Sequence, residues 1–144
     1  MSHPISEGGC AETGPAHASS RLLAPANGLI VALGRAGEFK LKNKASVSFD
    51  SQQEFRLHSI DPNVPGTSVT KTLVAVVLHD GNTTVVGHYT ACVRHAESQV
   101  WWKYDDEQVK QVTWNYVKKQ TTRVYLLFYA PTGRFIQFYF ICND

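Results

Sequence analysis

At 144 residues, 43% hydrophobic, 18% charged and with a formal net charge of +2, the chain has room for one domain with a real core. Its basic residues form no run or stripe, which argues against a nucleic-acid partner. The longest apolar run near the end, Phe135 to Cys142, is too short to span a bilayer, so no membrane partner is expected. Three cysteines with no Cys-x-x-Cys pair argue against a disulfide framework and suit a cytoplasmic or nuclear location. The first 28 residues hold no basic start followed by an apolar segment, so no signal peptide is expected.

Met1 to Asn27 is rich in Ser, Ala, Gly and Pro and has no hydrophobic period, the composition of a disordered lead-in. The domain is expected over residues 22–130, after a disordered segment 1–21 and before an unassigned tail 131–144. The apolar run Leu29 to Leu33 predicts a short buried strand. Weak alternation over Glu38–Leu41 and Ala45–Phe49 predicts two more, and Phe55–Ile60 a fourth. Asp61-Pro62-Asn63 and Pro65-Gly66 then break the chain. Leu73–Leu78 carries the strongest strand signal and is ended by Asp80-Gly81-Asn82, which opens a loop running to Gly87. Glycines at both ends suit a loop that moves or lies close to a ligand backbone. Asp106–Thr113 reads as a turn or one short helix, and Arg123–Tyr129 and Phe135–Cys142 as strands. The fold class is therefore mainly β, an antiparallel sheet of about seven strands, with no amphipathic helix to supply a second layer.

Between the loop and the turn lie Tyr89–Arg94 and Gln99–Tyr104, both rich in β-branched and aromatic residues. They predict a hairpin centred between Ala96 and Glu97. Tyr89 would then face Tyr104, Ala91 face Trp102, and Val93 face Val100, giving one apolar face. The opposite face carries His88, Thr90 and Cys92 across from Asp105, Lys103 and Trp101. A slip of one residue would mix the faces, so the pattern fixes the parity of the pairing. At this register His88 sits directly across from Asp105, with Cβ atoms about 4.5–5.5 Å apart. A carboxylate there can hold an imidazole in one tautomer and stabilise its protonated form. Ala96-Glu97 is not a favoured two-residue turn, and a loop from His95 to Ser98 would keep the parity while loosening the distance.

These residues carry a resemblance. Leu29 to Arg35, Leu73 to Gly81, Gly87-His88-Tyr89-Thr90-Ala91, Trp102 to Asp106 followed by Val109, and Val124 to Tyr129 stand in the order and spacing of the C-terminal half of a ubiquitin-specific protease. The chain from about Leu22 to Ala130 thus resembles a papain-like thiol deubiquitinase. The Asp-Asp-x-x-Val-Lys-x-Val spacing is nearest the branch containing ubiquitin-specific protease ten. The resemblance implies the β-rich half of a papain-like α+β cysteine protease fold, and thiol-dependent hydrolysis of the bond after the ubiquitin C-terminal glycine. It implies His88 as general base and Asp105 as the residue orienting it, with ubiquitin or ubiquitinated proteins as partners and no cofactor. The family's nucleophilic cysteine lies in an N-terminal helical half that these motifs do not cover. A helical half-domain in cis or in trans is therefore an expected partner, and the chain alone is expected to be inactive. A non-catalytic ubiquitin-binding or scaffold module is the alternative.

Asp106 competes with Asp105 for the partner role, but successive strand residues point to opposite sides, which favours Asp105. Asp106 then caps the following turn or adds polarisation. Cys92, four strand residues from His88, would lie about 13 Å away, too far for proton transfer within about 3 Å. Cys10 precedes Gly14-Pro15, which cuts off any helix that could lower its pKa, and Cys142 lies in an apolar tail. None reads as a nucleophile. His79, His88, Cys92 and His95 match no standard zinc spacing. Asp80, Gly81, Gly87, Tyr89 and Trp101 complete the expected substrate-binding set, Trp101 because it shares the His88 face. Trp102 and Tyr104 read as core.

Overall fold

The computed structural model describes residues 27–37, 40–58, 63 and 65–132. Among them, seven strands and one short helix follow in the order β1 (Leu29–Ala32), β2 (Gln52–Leu57), β3 (Thr67–Asp80), β4 (His88–Arg94), β5 (Trp101–Asp105), β6 (Gln108–Val112), α1 (Trp114–Lys118) and β7 (Val124–Pro131). They form one antiparallel sheet in the order β1-β7-β3-β4-β5-β6, with β2 also on β3. The mainly β, antiparallel class is what the patterning predicts.

β3 is the trunk. Its β-branched content suits a pleated surface, and its 14 residues pair on both edges. Thr67–Thr72 pair with β2 and Ala75–Asp80 with β4, while Lys71–Leu78 pair with β7. Thr72 has both β2 and β7 as neighbours, so β2 and β4 share one edge and β7 takes the other. Against β7 the register shifts between Leu73 and Ala75 and again between Val77 and Leu78. Each extra residue of a bulge swaps the face on which the next side chain lies.

One face of the sheet is covered. Val76 and Leu78 of β3, Cys92 of β4, Trp101 of β5, and Val124, Leu127 and Tyr129 of β7 are buried there with Phe49 and Val117. Trp114 of α1 packs on Trp101 and, edge-on, on Phe49. Thr113 caps α1 by accepting from the Tyr116 amide at 3.2 Å, the usual service of an N-cap hydroxyl. The covering layer is therefore α1 plus the irregular segment before β2. Ala45–Phe49, expected as a strand, pairs with no strand among the described residues. Its alternation instead delivers Phe49 to the core, and the Ala45 carbonyl, like that of Asn43 before it, turns to a side chain.

That side chain is Arg35, only 3% exposed. Its guanidinium donates to the carbonyls of Val124 at 3.0 Å, Thr121 at 3.0 Å, Asn43 at 3.1 Å, and Ala45. One planar fork thus ties the end of β1, the covering segment and the entry to β7. Leu41 takes the Gly37 amide at 2.9 Å and forms an isolated bridge to Thr83 in place of a strand; Glu38 and Phe39 lie outside the described residues, as do Ser59, Ile60, Cys10, Cys142 and the expected strand Phe135–Cys142.

Two further expectations change. Gln108–Val112 is an edge strand, not a turn or helix, because Asp106 takes φ 50° and reverses the chain so that Gln108 pairs with Asp105. An Asp tolerates that left-handed conformation better than most residues. Its polar residues Gln108, Lys110 and Gln111 suit a solvated sheet edge. The β4–β5 hairpin keeps the expected parity but is displaced by two residues: Ala91 faces Tyr104, Val93 faces Trp102 and Arg94 faces Trp101. The connection is longer than Ala96-Glu97, closed by the His95 amide on the Val100 carbonyl at 2.8 Å and turned by Gln99 at φ 60°. The wholly apolar face (Tyr89, Ala91, Val93, Trp102, Tyr104) is the half-exposed one, and Trp102 and Tyr104 are not core.

Arg35→Met would strand four carbonyls, each costing about 1–3 kcal/mol if it stays dry. We expect a loss of at least about 2 kcal/mol in urea denaturation, well above the roughly 0.5 kcal/mol typical of surface substitutions.

Candidate functional site

The covered face ends in charge. From the level of Leu78 and Cys92 onward the inward positions become Asp80 on β3, Thr90 and His88 on β4 and Lys103 and Asp105 on β5, a stripe of polar groups where the apolar layer runs out. Strand period alone puts them together, since Asp80 pairs with His88 and Lys103 and Asp105 are two residues apart on one face.

His88 and Asp105 meet. Extending the observed register would set Asp105 across from Thr90, not His88, so the pair is diagonal, and the imidazole spans the offset: Nε2 lies 2.6 Å from Asp105 Oδ1. A carboxylate only accepts, so Nε2 carries the proton and donates, leaving the Nδ1 lone pair free to act as a base. Asp106 Oδ2 lies 4.0 Å from the same nitrogen. Its positive φ breaks strand alternation and turns its carboxylate back toward His88, so both aspartates face the ring, Asp105 much the closer. The other Asp105 oxygen accepts from Lys103 Nζ at 2.5 Å.

The electrostatics follow from these contacts. The hydrogen bond to Asp105 raises the His88 pKa above its ordinary value against partial desolvation, with Asp106 and Asp80 adding to the rise. Lys103 first, and His88 second, pull the Asp105 carboxyl down to about 2. The Asp105 contribution to stability is therefore present above the ordinary carboxylate range and lost as pH falls toward about 2. The His88 contribution is present below the ordinary imidazole pKa and lost as pH rises through the folded value. His88, Asp105 and Asp106 bring ligand-type atoms within 4.8 Å of one another, but Lys103 already supplies a cation to Asp105, and we assign no metal there.

The remaining expected residues separate. Asp80 is gripped by Arg123 through both carboxylate oxygens, with Gln120 bracing the guanidinium at 2.8 Å. Tyr89 is half exposed on the opposite face from His88, and stacks 4.5 Å from the His79 ring and 5.7 Å from Tyr125. Trp101, expected near the cleft, is instead 5% exposed against Trp114. It shares the His88 face but sits at the far end of β5, inside the core. Cys92 is fully buried, and burial pushes its thiol up to about 11, the state of an inert thiol.

Gly81 and Gly87 lie over His79, whose importance the sequence did not reveal. This ring is 2% exposed, and its Nε2 has no hydrogen-bond partner among the described residues. Burial, then the Lys42 charge, lowers its pKa, so it stays neutral and plugs the base of the loop. A Cβ on Gly87 would collide with His79 Nε2 and the Asp80 carbonyl, and one on Gly81 with the Val86 carbonyl. The loop between is pinned by residues 40–44: the Lys42 amide bonds the Asn82 carbonyl at 2.9 Å, the Thr84 amide the Lys40 carbonyl at 3.0 Å, and Lys44 Nζ the Asn82 side chain at 2.6 Å. Its tip exposes Val85 (66%) and Val86 (73%) beside Gly87-His88. Two adjacent valines in a loop are the signal that could have marked this surface.

Two outcomes are expected. In a histidine NMR titration, His88 titrates above the ordinary imidazole value, and Asp105→Asn moves it down. Gly87→Ala forces the collision with His79, costs about 1–3 kcal/mol as overpacking, and displaces His88 enough to lower its pKa as well.

The family model for ubiquitin carboxyl-terminal hydrolase matches residues 24–129. Over 71 residues, 49% of this chain, the sequence is 31% identical to ubiquitin carboxyl-terminal hydrolase 26 of Arabidopsis thaliana and covers 7% of that protein. Over 59 residues, 40% of this chain, it is 42% identical to ubiquitin carboxyl-terminal hydrolase 10-B of Xenopus laevis and again covers 7%. Among solved structures, a chain of the yeast SAGA DUBm aligns with a TM-score of 0.60 and 25% identity, covering 72% of this chain and 24% of that one. The SAGA Ubp8/Sgf11/Sus1/Sgf73 DUB module bound to ubiquitin aldehyde shares the fold at a TM-score of 0.60 and 23% identity. This chain therefore spans a small part of each relative. Since the match covers most of its length, including His88 and Asp105, the chain belongs to the ubiquitin carboxyl-terminal hydrolase family.

Proposed function

We propose that this chain is the histidine-bearing half of a deubiquitinase, acting in thiol-dependent hydrolysis of the bond after the ubiquitin C-terminal glycine. The observation that carries this reading is the 2.6 Å contact of His88 Nε2 with Asp105 Oδ1. It holds the ring in the tautomer whose Nδ1 can take a thiol proton. The thiolate attacks the carbonyl carbon, the protonated His88 gives its proton to the departing amine, and water then hydrolyses the acyl-enzyme with His88 again as base. Asp105 orients the ring and balances the imidazolium; Asp106 adds charge at longer range.

The nucleophile in this proposal comes from a helical half supplied in the same polypeptide or in trans. Cys92, buried and with its thiol pushed up to about 11, cannot serve. On the substrate side, Gly81 and Gly87 keep the loop backbone bare, Asp80 and Tyr89 flank it, and the exposed Val85 and Val86 offer apolar contact for an extended ubiquitin tail. Trp101, packed in the core, shapes β5 from within. The Cys92 burial also favours a second reading, a ubiquitin-binding module without catalysis.

Mixing this chain with the helical half of a close relative and assaying a fluorogenic ubiquitin substrate separates the two. Turnover is expected only with the added half, and His88→Ala is expected to reduce it by about 10²–10⁴-fold, the usual reach of general-base help. Binding of ubiquitin with no turnover under any pairing would favour the module. Labelling of Cys92 by a ubiquitin electrophile without a partner would overturn the assignment of the nucleophile.

A further inference from the structure

A lysine on the inward face of a sheet needs a reason. Lys103 is 8% exposed, and its register partner on β4 is the fully buried Cys92. Its Nζ reaches two residues along β5 to Asp105 Oδ2 at 2.5 Å, while Asp105 Oδ1 meets His88 Nε2 at 2.6 Å. Two N–H donors, the Lys103 ammonium and the His88 imidazole, therefore divide one carboxylate, one oxygen each. A carboxylate bonded at a single oxygen can rotate about its last torsion, which is broad and shallow; bonded at both, it has one orientation. The side chain of Lys103 is itself confined by burial, so the constraint passes from the core through Lys103 to Asp105 and on to His88.

We propose that Lys103 is a positioning residue of the site: it grips the second oxygen of Asp105, fixes the carboxylate toward His88, and takes up part of its charge. This rests on the reading of His88 as the base. The charge division follows from geometry. The ammonium competes with the imidazolium for the same carboxylate, and an opposite charge within about 4–6 Å is the usual cause of a displaced titration. The groups facing these residues are few. Around His88 stand Asp105 and Asp106 at the end of β5 and Asp80 on β3. Around Lys103 stand Asp105, Tyr116 of α1 and Arg123 before β7, with Cys92 across from it on β4 and the exposed Lys110 across from it on β6. Arg123 is held by Asp80, which leaves Lys103 as the cation bonded to Asp105 among the described residues. Without it, Asp105 would give its whole charge to His88, and the ring would stay protonated to higher pH, when a thiol needs it neutral.

The test is a histidine NMR titration of the isotope-labelled chain carrying Lys103→Met, Lys103→Gln, Lys103→Arg or Asp105→Asn. The His88 midpoint is expected to rise by about 0.5 or more in pH in Lys103→Met. Lys103→Gln, which keeps a polar end without the charge, should give the same rise and covers the case in which Lys103→Met fails to fold. Lys103→Arg should hold the midpoint near the native one. Loss of the grip alone would lower the midpoint, so an unchanged or lowered midpoint in the folded neutral variants would overturn the division of charge that the proposal states, as would an equal rise in Lys103→Arg. Asp105→Asn keeps the two readings apart. A fall there with no response to the Lys103 variants sinks the role of Lys103 and leaves the His88–Asp105 pair standing. No fall there sinks the pair itself.

Discussion

The sheet stands on the double pairing of β3. A strand with neighbours on both edges satisfies its amides and carbonyls within the sheet, and this one has three neighbours along its length. The register shift between Leu73 and Ala75 puts an extra residue into β3 and resets which of its side chains point inward. That lets one strand bury Leu73, Val76 and Leu78 in the same covered layer although their spacing is not strictly alternate. It then leaves Asp80 inward at the strand's end, one neighbour away from His88. The site's location is thus a property of strand ends: the apolar side chains stop, alternation continues, and the inward positions fill with charge.

Charges gathered at a half-buried edge need internal balance. Asp80 is matched by Arg123, and Asp105 is divided between His88 and Lys103. Each pair is fixed by a different neighbour, Arg123 by the turn before β7 and Lys103 by the packed middle of β5. Asp106, with its carboxylate 80% exposed, has room to remain solvated. The left-handed conformation of Asp106, just past β5, is what brings the second aspartate to the His88 side at all, at longer range than Asp105.

Much of this was legible in the sequence, and the failures have physical causes. Alternation fixed the parity of the β4–β5 pairing, because a slip of one residue costs a whole face. A slip of two costs nothing in that currency, and the turn from Ala96 to Gln99 has no glycine or asparagine to announce its length. The same alternation misjudged which face is covered: the more apolar face of the hairpin is half exposed, since the inward face ends in the site and carries its polar residues. β6 was missed because an exposed polar edge strand has no hydrophobic signature, and the covering segment was misread because Arg35, not a neighbouring strand, takes its carbonyls. His79 gave no signal of its own. Only its contact with two glycines, visible in three dimensions, explains why those positions are bare.

The outermost strand pairing also has a bearing on how the chain is made. Leu29 pairs with Tyr129, so β1 finds its neighbour only after nearly all the described residues have emerged from the ribosome. β3 likewise has one edge unpaired until β7 arrives. During synthesis the trunk strand, rich in valine and threonine, therefore presents an open edge for the time needed to translate some fifty residues, a matter of seconds at about 5–20 residues per second. Such an edge invites pairing with another chain. The nascent protein is thus most vulnerable at the strand on which its finished structure most depends, and a holdase that shields β3 until β7 is released would improve its yield.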